Sequence, residues 1–144
     1  RDRCRDHVAA LCRALLQYAR KHEGCLPPAA SWCDDIEQYI DSDTPQGHFA
    51  CPGAPDLQYG YAINEDLAGT DVRKLRDHGQ YILLLPSERG TRNEARAVPT
   101  GRLKTGRHIS IWFRTTPHVI VGMLDGTTQE VSEGQPFDSA GMFR

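Results

Sequence analysis

The chain has 144 residues, of which 39% are hydrophobic and 25% are charged. A chain of this length fits one domain and buries about 70% of its unfolded surface, so a core can form without disulfides. Its 17 basic residues are interspersed among 19 acidic ones, which gives a net charge of −2 and argues against nucleic acid as a partner. The longest apolar run, residues 81–85, is far too short to span a bilayer.

The first predicted element is an amphipathic helix that ends near His22. Gly24 is its expected left-handed C-terminal cap, and two prolines follow. Because the apolar pattern is already under way at residue 1, we interpret residues 1–22 as the lower half of a longer helix, with the upper half upstream. The apolar residues recur at the spacing of one helix face and are Cys4, Val8, Leu11, Cys12, Leu15, Leu16 and Ala19.

A connecting segment follows over residues 23–58, and it contains a second, short helix predicted over 32–41. Ser31 and Asp34 match a capping box at the start of this helix. The polar stretch that follows, and residues 49–55 with their two prolines, are predicted to be irregular. The residues on the apolar side of the helix are Trp32, Ile36, Tyr39 and Ile40.

The remaining elements are predicted strands. The pair Asp125-Gly126 predicts a two-residue hairpin turn between the last two strands, because Asp and Gly tolerate positive φ. Residues 87–107 read as a long exposed excursion or a loose hairpin, and residues 133–144 as a loosely held tail. The predicted strands are 59–64, 81–85, 108–114, 118–124 and 127–131.

The order of these elements predicts an α+β fold in a single domain over residues 1–144. A long N-terminal helix is expected to pack across an antiparallel sheet formed by residues 59–132. Its apolar face is expected to cover residues 81–85 and the inward-facing residues of the strand at 108–114.

Five cysteines are present, so at least one lacks a partner within the chain. Cys4 and Cys12 lie about 12 Å apart along one helix, beyond the reach of a disulfide, and are interpreted as small core residues. Cys25, Cys33 and Cys51 can supply one bridge, with Cys33–Cys51 the pairing considered. No two cysteines are spaced Cys-x2-Cys, which argues against a zinc knuckle.

No known catalytic motif occurs, and the chain is predicted to be non-enzymatic. The residues of catalytic type are His108, His118, Asp125, Glu88 and Cys51. A small hydrolase remains an alternative if His108 and His118 converge in a pocket with a nucleophile or a metal. Asp125 is explained by the turn alone.

A calcium site is a second possibility, while a solvated acidic surface is the favoured interpretation. Calcium needs six to eight oxygen ligands from a bent loop, and no twelve-residue loop with alternating acidic residues occurs. The metal therefore stays undecided. The oxygen donors near the late loops are Glu88, Asn93, Asp125, Thr127, Glu130 and Asp138.

A series of short motifs resembles the soluble part of type IV pilin-like pseudopilins, in particular prepilin-type proteins of planctomycetes and verrucomicrobia. The motifs occur in consistent order over about residues 5–132. Thr115 stands where the family often has a histidine, so the role of that histidine is not carried over to this chain. The matching segments are Leu15–Ala19, Gly24, Leu26–Ala29, Trp32, Ile36–Ile40, Phe49–Pro52, Tyr59–Asn64, Leu67–Gly69, Tyr81–Glu88 and Val119–Gly126.

The resemblance implies a pilin-like head domain that serves as a structural subunit of a type IV pilus or a type II secretion pseudopilus. It also implies an upstream apolar segment that anchors the protein in the inner membrane before assembly, and partner subunits bound through the N-terminal helix. The location would be the periplasm or the cell surface. The alternative is a binding module on another anchor, using Trp112, Arg114 and residues 89–107 as its surface.

Overall fold

The computed structural model describes the N-terminal helix, the connecting segment and most of the sheet. The described residues do not include the predicted strand at 108–114, with Trp112 and Arg114, or most of the predicted tail. For residues 2–4, 101–102, 118–119, 131–132 and 136–137 only the backbone is described. The described residues are 2–50, 58–87, 89–97, 101–102, 118–132 and 136–137.

The first element is the helix α1, Asp2–Lys21, which has 20 residues. It ends as predicted, because Gly24 has a φ of +85° and its N–H donates to the carbonyl of Ala19 at 2.7 Å. Glu23 also takes a left-handed conformation, with a φ of 58°. The predicted apolar face is buried at Val8, Leu11, Cys12, Leu15 and Ala19.

The second helix is shorter than predicted. The helix α2, Trp32–Ile36, lies between two single turns of 3-10 helix, Ala29–Ser31 and Glu37–Tyr39. The predicted capping box does not form, since the Ser31 hydroxyl donates to Asp35 at 2.7 Å instead of capping the helix. On the predicted apolar side Trp32, Ile36 and Ile40 are buried and Tyr39 is half-buried, which confirms the predicted side. Cys33, which was not predicted there, is buried as well.

Seven strands are present in the described residues. Further 3-10 turns occur at Pro45–Phe49, Val72–Lys74 and His78–Gln80. The strands are β1 (Tyr61–Asn64), β2 (Ile82–Pro86), β3 (Ala95–Arg96), β4 (Gly101–Arg102), β5 (His118–Met123), β6 (Thr128–Ser132) and β7 (Pro136–Phe137).

Five strands form one sheet in the order β3-β1-β2-β5-β6, and β4 pairs with β7 separately. The pairs β1–β2, β2–β5 and β5–β6 are antiparallel, whereas β3 runs parallel to β1. The predicted α+β class is confirmed, but the sheet is mixed rather than purely antiparallel. The reason is that residues 94–96 run beside β1 instead of belonging to an exposed excursion or a loose hairpin.

The hairpin between β5 and β6 also differs from the prediction in one detail. The N–H of Met123 donates to the carbonyl of Thr127 at 2.8 Å, and the N–H of Gly126 donates to the carbonyl of Met123 at 3.0 Å. These bonds close a three-residue loop, in which Gly126 alone takes a positive φ, +90°. Gly126 is therefore the one left-handed residue of this turn, and Asp125 is not left-handed.

The core lies between α1, α2 and the sheet. All residues of Ile82–Leu85 are buried, so the centre of the sheet is covered on both faces. The helix α1 packs mainly against β5, with smaller contacts to β2 and β6. This arrangement places the N-terminal helix across one face of the sheet.

Candidate functional site

The residues of catalytic type do not converge in the part of the chain that the structure describes. His108, Cys51, Glu88 and Asp138 lie outside the described residues. The backbone of His118 begins β5, and Asp125 follows the other end of that strand. Seven residues of extended chain separate the two positions by roughly 20 Å, so His118 and Asp125 do not form one site.

The oxygen donors considered for calcium are also dispersed. The Asp125 carboxylate accepts from the Thr127 N–H at 2.9 Å and from the Thr127 hydroxyl at 2.6 Å, which is a local turn interaction. Glu130 lies 3.7 Å from Arg5 of α1. Asn93 lies in the loop before β3, and its side chain forms hydrogen bonds with Cys33 and Asp34 of α2. Within the described residues, no group of three His, Cys, Asp or Glu side chains is placed to hold a metal ion.

The hydrogen bonds of the Asp125 turn have an electrostatic consequence. Thr127 donates to the ionised carboxylate, which lowers the pKa of Asp125 below its ordinary value, and the nearby His78 acts in the same direction. Asp125 is therefore ionised at neutral pH, and its carboxylate accepts the two hydrogen bonds from Thr127 within the turn.

An open pocket of about 490 Å³ lies beside this turn, at the C-terminal half of α1. His78 closes one side, but its Nε2 is held by the carbonyls of Val72 at 2.9 Å and Leu75 at 3.0 Å. Arg73 is paired with Asp71 at 3.0 Å. His78, Arg73 and Asp125 are thus engaged in local contacts. The lining residues are Leu16, Ala19, Arg20, Glu23, Gly24, Val72, Arg73, His78, Leu124 and Asp125.

A second polar cluster joins α2 to the loop before β3. Arg92 donates to Asp34 at 2.6 Å and to the Tyr59 hydroxyl at 2.8 Å, and its guanidinium lies over the rings of Phe49 and Tyr59. The hydrogen bonds from Asn93 and Arg92 lower the pKa of Asp34, and the bond to Tyr59 raises the pKa of Arg92. The geometry is that of a structural clamp between α2 and the start of the sheet.

Glu94 is the buried acidic residue at the centre of this loop, and sequence reasoning missed it. Its carboxylate accepts from the hydroxyl of Ser87 and from the N–H groups of Arg89 and Gly90. Its backbone carbonyl accepts from the Trp32 indole at 2.8 Å. The residues around it are mostly polar and show no apolar periodicity, because the loop is held by hydrogen bonds to side chains and backbone rather than by a strand or a helix.

The described cysteines are free thiols, which corrects the expectation of a bridge from Cys33 to Cys51. Cys12, Cys25 and Cys33 carry no disulfide. Cys33 accepts a hydrogen bond from the N–H of Asn93 at 3.3 Å, so its sulfur is engaged in the core. Burial raises the pKa of both Cys12 and Cys33 to about 12, which keeps these thiols protonated and unreactive at neutral pH.

The apolar face of α1 packs closely against the sheet. Gly122 of β5 lies under α1, and a Cβ added there would meet the Cys12 sulfur and lie 2.9 Å from Val8. The polar face of α1 points away from the sheet, with Arg13, Gln17 and Arg20 exposed. The helix therefore presents one apolar face to the sheet and one charged face to its surroundings.

Comparison with protein families, curated proteins and solved structures finds no match to this chain. No helix in the described part of the chain has the length and apolar character that crossing a membrane requires.

Proposed function

We propose that this chain is the head domain of a type IV pilin-like pseudopilin, a non-enzymatic structural subunit of a type IV pilus or a type II secretion pseudopilus. Two features support the proposal. One is the ordered series of motifs from Leu15 to Gly126. The other is an N-terminal amphipathic helix whose apolar face packs on a sheet while its charged face stays exposed.

The packing of α1 on the sheet is the main observation that supports the proposal. A subunit that joins a filament through its N-terminal helix needs that helix fixed to the head on one side and accessible on the other. The buried residues from Val8 to Ala19 provide the fixed side, and Arg13, Gln17 and Arg20 provide the accessible side. Contacts between subunits that repeat without closing generate a helical fibre.

The proposal includes an anchor and a location. An apolar segment of about 20 residues upstream of Arg1 would hold the subunit in the inner membrane before assembly. The head would then lie in the periplasm and, in a pilus, at the cell surface. The partners would be further pilin or pseudopilin subunits.

The test is made with the complete gene product in its own host. We expect the protein in the membrane fraction and in sheared filaments. The double variant Arg13→Glu with Arg20→Glu is expected to fold normally but to enter filaments several-fold less, because both side chains lie on the exposed helix face. Arg76→Glu, an exposed charge reversal outside the residues of α1, is the matched control.

Two results would contradict the proposal. One is a wild-type protein found free in the periplasm or cytoplasm and never in membranes or filaments. The other is a polar upstream sequence with no apolar segment before Arg1.

A further inference from the structure

The hairpin turn between β5 and β6 contains Asp125-Gly126, which is the one Asp-Gly pair of the sequence, and no Asn-Gly pair occurs. An aspartate followed by glycine is the most prone to isomerise, because glycine has no side chain to hinder attack by its backbone nitrogen. The side chain of Asp125 is also exposed to water. The sequence around this turn therefore predicts a site of covalent modification.

Isomerisation begins with ring closure between the two residues. The backbone nitrogen of Gly126 attacks the Cγ of Asp125, and the new C–N bond closes a five-membered succinimide ring. The proton of the nitrogen leaves with the hydroxyl of the carboxylic acid as one molecule of water. Water then adds at either carbonyl of the ring, which gives aspartate or isoaspartate. The reaction needs a protonated carboxyl group, a Cγ that can reach the nitrogen, and a nitrogen that can lose its proton.

The carboxylate of Asp125 is fixed by Thr127. Its Oδ1 accepts hydrogen bonds from the Thr127 N–H at 2.9 Å and from the Thr127 hydroxyl at 2.6 Å. Turning the carboxyl group toward the Gly126 nitrogen breaks these bonds. The bond from the hydroxyl is also the largest cause that lowers the pKa of Asp125. An ionised carboxylate has no hydroxyl group that can leave as water, so both effects oppose ring closure.

The backbone nitrogen of Gly126 is engaged as well. Its N–H donates to the carbonyl of Met123 at 3.0 Å, and this bond helps to close the turn. A succinimide nitrogen carries no hydrogen, so ring closure removes the bond. Isoaspartate would also lengthen the backbone by one carbon at residue 125, between the two ends of the bond from the Met123 N–H to the Thr127 carbonyl.

The turn is packed against two neighbouring elements. A Cβ added at Gly79, in the 3-10 turn His78–Gln80, would lie 2.8 Å from the Oδ2 of Asp125. A Cβ added at Gly126 would lie 3.4 Å from Leu16 of α1. Because the turn has little room to rearrange, ring closure has to be preceded by local opening of the hairpin.

We propose that Asp125-Gly126 is a site of aspartate isomerisation that the folded hairpin keeps closed, and that the Thr127 hydroxyl is the group that closes it. The inference is independent of a role in filaments, since it concerns only the covalent integrity of the turn beside α1.

The first test compares the folded and the unfolded wild-type protein of 144 residues. Both are kept at neutral pH and the same temperature, without and with urea. Isoaspartate at residue 125 is measured by peptide mapping and with an isoaspartate-specific methyltransferase. We expect isoaspartate to form at least about tenfold more slowly in the folded protein, because the turn must first open. Equal rates in the two states would overturn the protection.

The variant Thr127→Val tests the hydroxyl. Valine keeps the branched shape and the backbone N–H, but its side chain cannot donate a hydrogen bond. We expect isoaspartate at residue 125 to form several-fold faster than in the folded wild type. Thr128→Val, the same change one residue further along the chain in β6, is the matched control and keeps the wild-type rate. Equal rates in the two variants would overturn the role of Thr127.

A further variant covers the case in which Thr127→Val fails to fold. Thr127→Ser keeps a hydroxyl at the same position, so it is expected to retain the slow isomerisation of the folded wild type. The thermal unfolding midpoint of each variant confirms that the folded state is compared. Fast isomerisation in a folded Thr127→Ser would contradict the proposal.

Discussion

Single buried polar residues determine how the loop before β3 is held. Glu94 is 7% exposed, and its carboxylate accepts hydrogen bonds from the Ser87 hydroxyl and from two backbone N–H groups. Hydrogen bonds to a charged acceptor are stronger than neutral ones, and they offset the cost of burying the charge. This residue turns a stretch that reads as an exposed loop into a fixed part of the domain.

Replacing Glu94 by Gln is expected to destabilise the protein by about 2 kcal/mol. The glutamine amide has no negative charge, and its NH₂ group can only donate. It therefore cannot accept at least one of the hydrogen bonds from Ser87, Arg89 and Gly90. Urea unfolding measures the effect, and Glu65→Gln, an exposed position, is the control. Equal stability of Glu94→Gln and the wild type would show that the carboxylate does not hold the loop.

The buried thiol of Cys12 makes stability depend on alkaline pH. Its pKa is about 12 in the folded protein, against an ordinary value of 9.0. Above pH 9.0 the unfolded chain loses the proton that the folded chain retains, so the free energy of unfolding falls as pH rises. Below that value the thiol is protonated in both states and has no effect.

Between about pH 8 and about pH 10, the wild type is expected to lose about 1 kcal/mol more stability than Cys12→Ala. The comparison uses the change with pH in each protein, so the small cavity left by Ala cancels. Cys25→Ser, a half-buried thiol for which Ser is nearly isosteric, is the control. Parallel curves for the wild type and Cys12→Ala would contradict the prediction.

At the scale of elements, the seating of α1 depends on close approach to β5. Gly122 has no side chain, and Cys12 and Val8 fill the space above it. The spacing of apolar residues predicts which face of α1 is buried. It does not predict which strand residue must be a glycine, because that depends on how the helix crosses the sheet.

Gly122→Ala is expected to cost about 1–3 kcal/mol, since the new methyl group overlaps the Cys12 sulfur. The double variant Gly122→Ala with Cys12→Ala should recover part of this loss, because the second change makes room. Gly47→Ala is the control, where the nearest atom to an added Cβ is 3.9 Å away. Additive losses in the double variant would show that the two residues are not in contact.

For the whole molecule, we expect α1 and the central strands to unfold as one cooperative unit. The sheet order places β2 and β5 inside, flanked by β1 and β6, and α1 covers this centre. Amides that open only on global unfolding belong to such a unit.

Native-state hydrogen exchange is expected to be slowest, and equally slow, for the amides of Leu11–Ala19, Ile82–Leu85 and Val121–Met123. The amides around Asp41–Thr44, where no buried residue follows Ile40 until Phe49, should exchange far faster. Exchange in α1 that is orders of magnitude faster than in β2 would show that the helix opens independently of the sheet.

Local patterns in the sequence predict the α+β class, the buried face and end of α1, and the central strands, because these depend on periodicity and on Gly24 and Gly126. Contacts between distant parts of the chain determine the parallel β3, the buried Glu94, the Arg92 clamp and the contact between the His7 and His48 rings. These features join residues about 30 to 60 positions apart or depend on a loop without periodicity, and no pattern of neighbouring residues encodes such contacts.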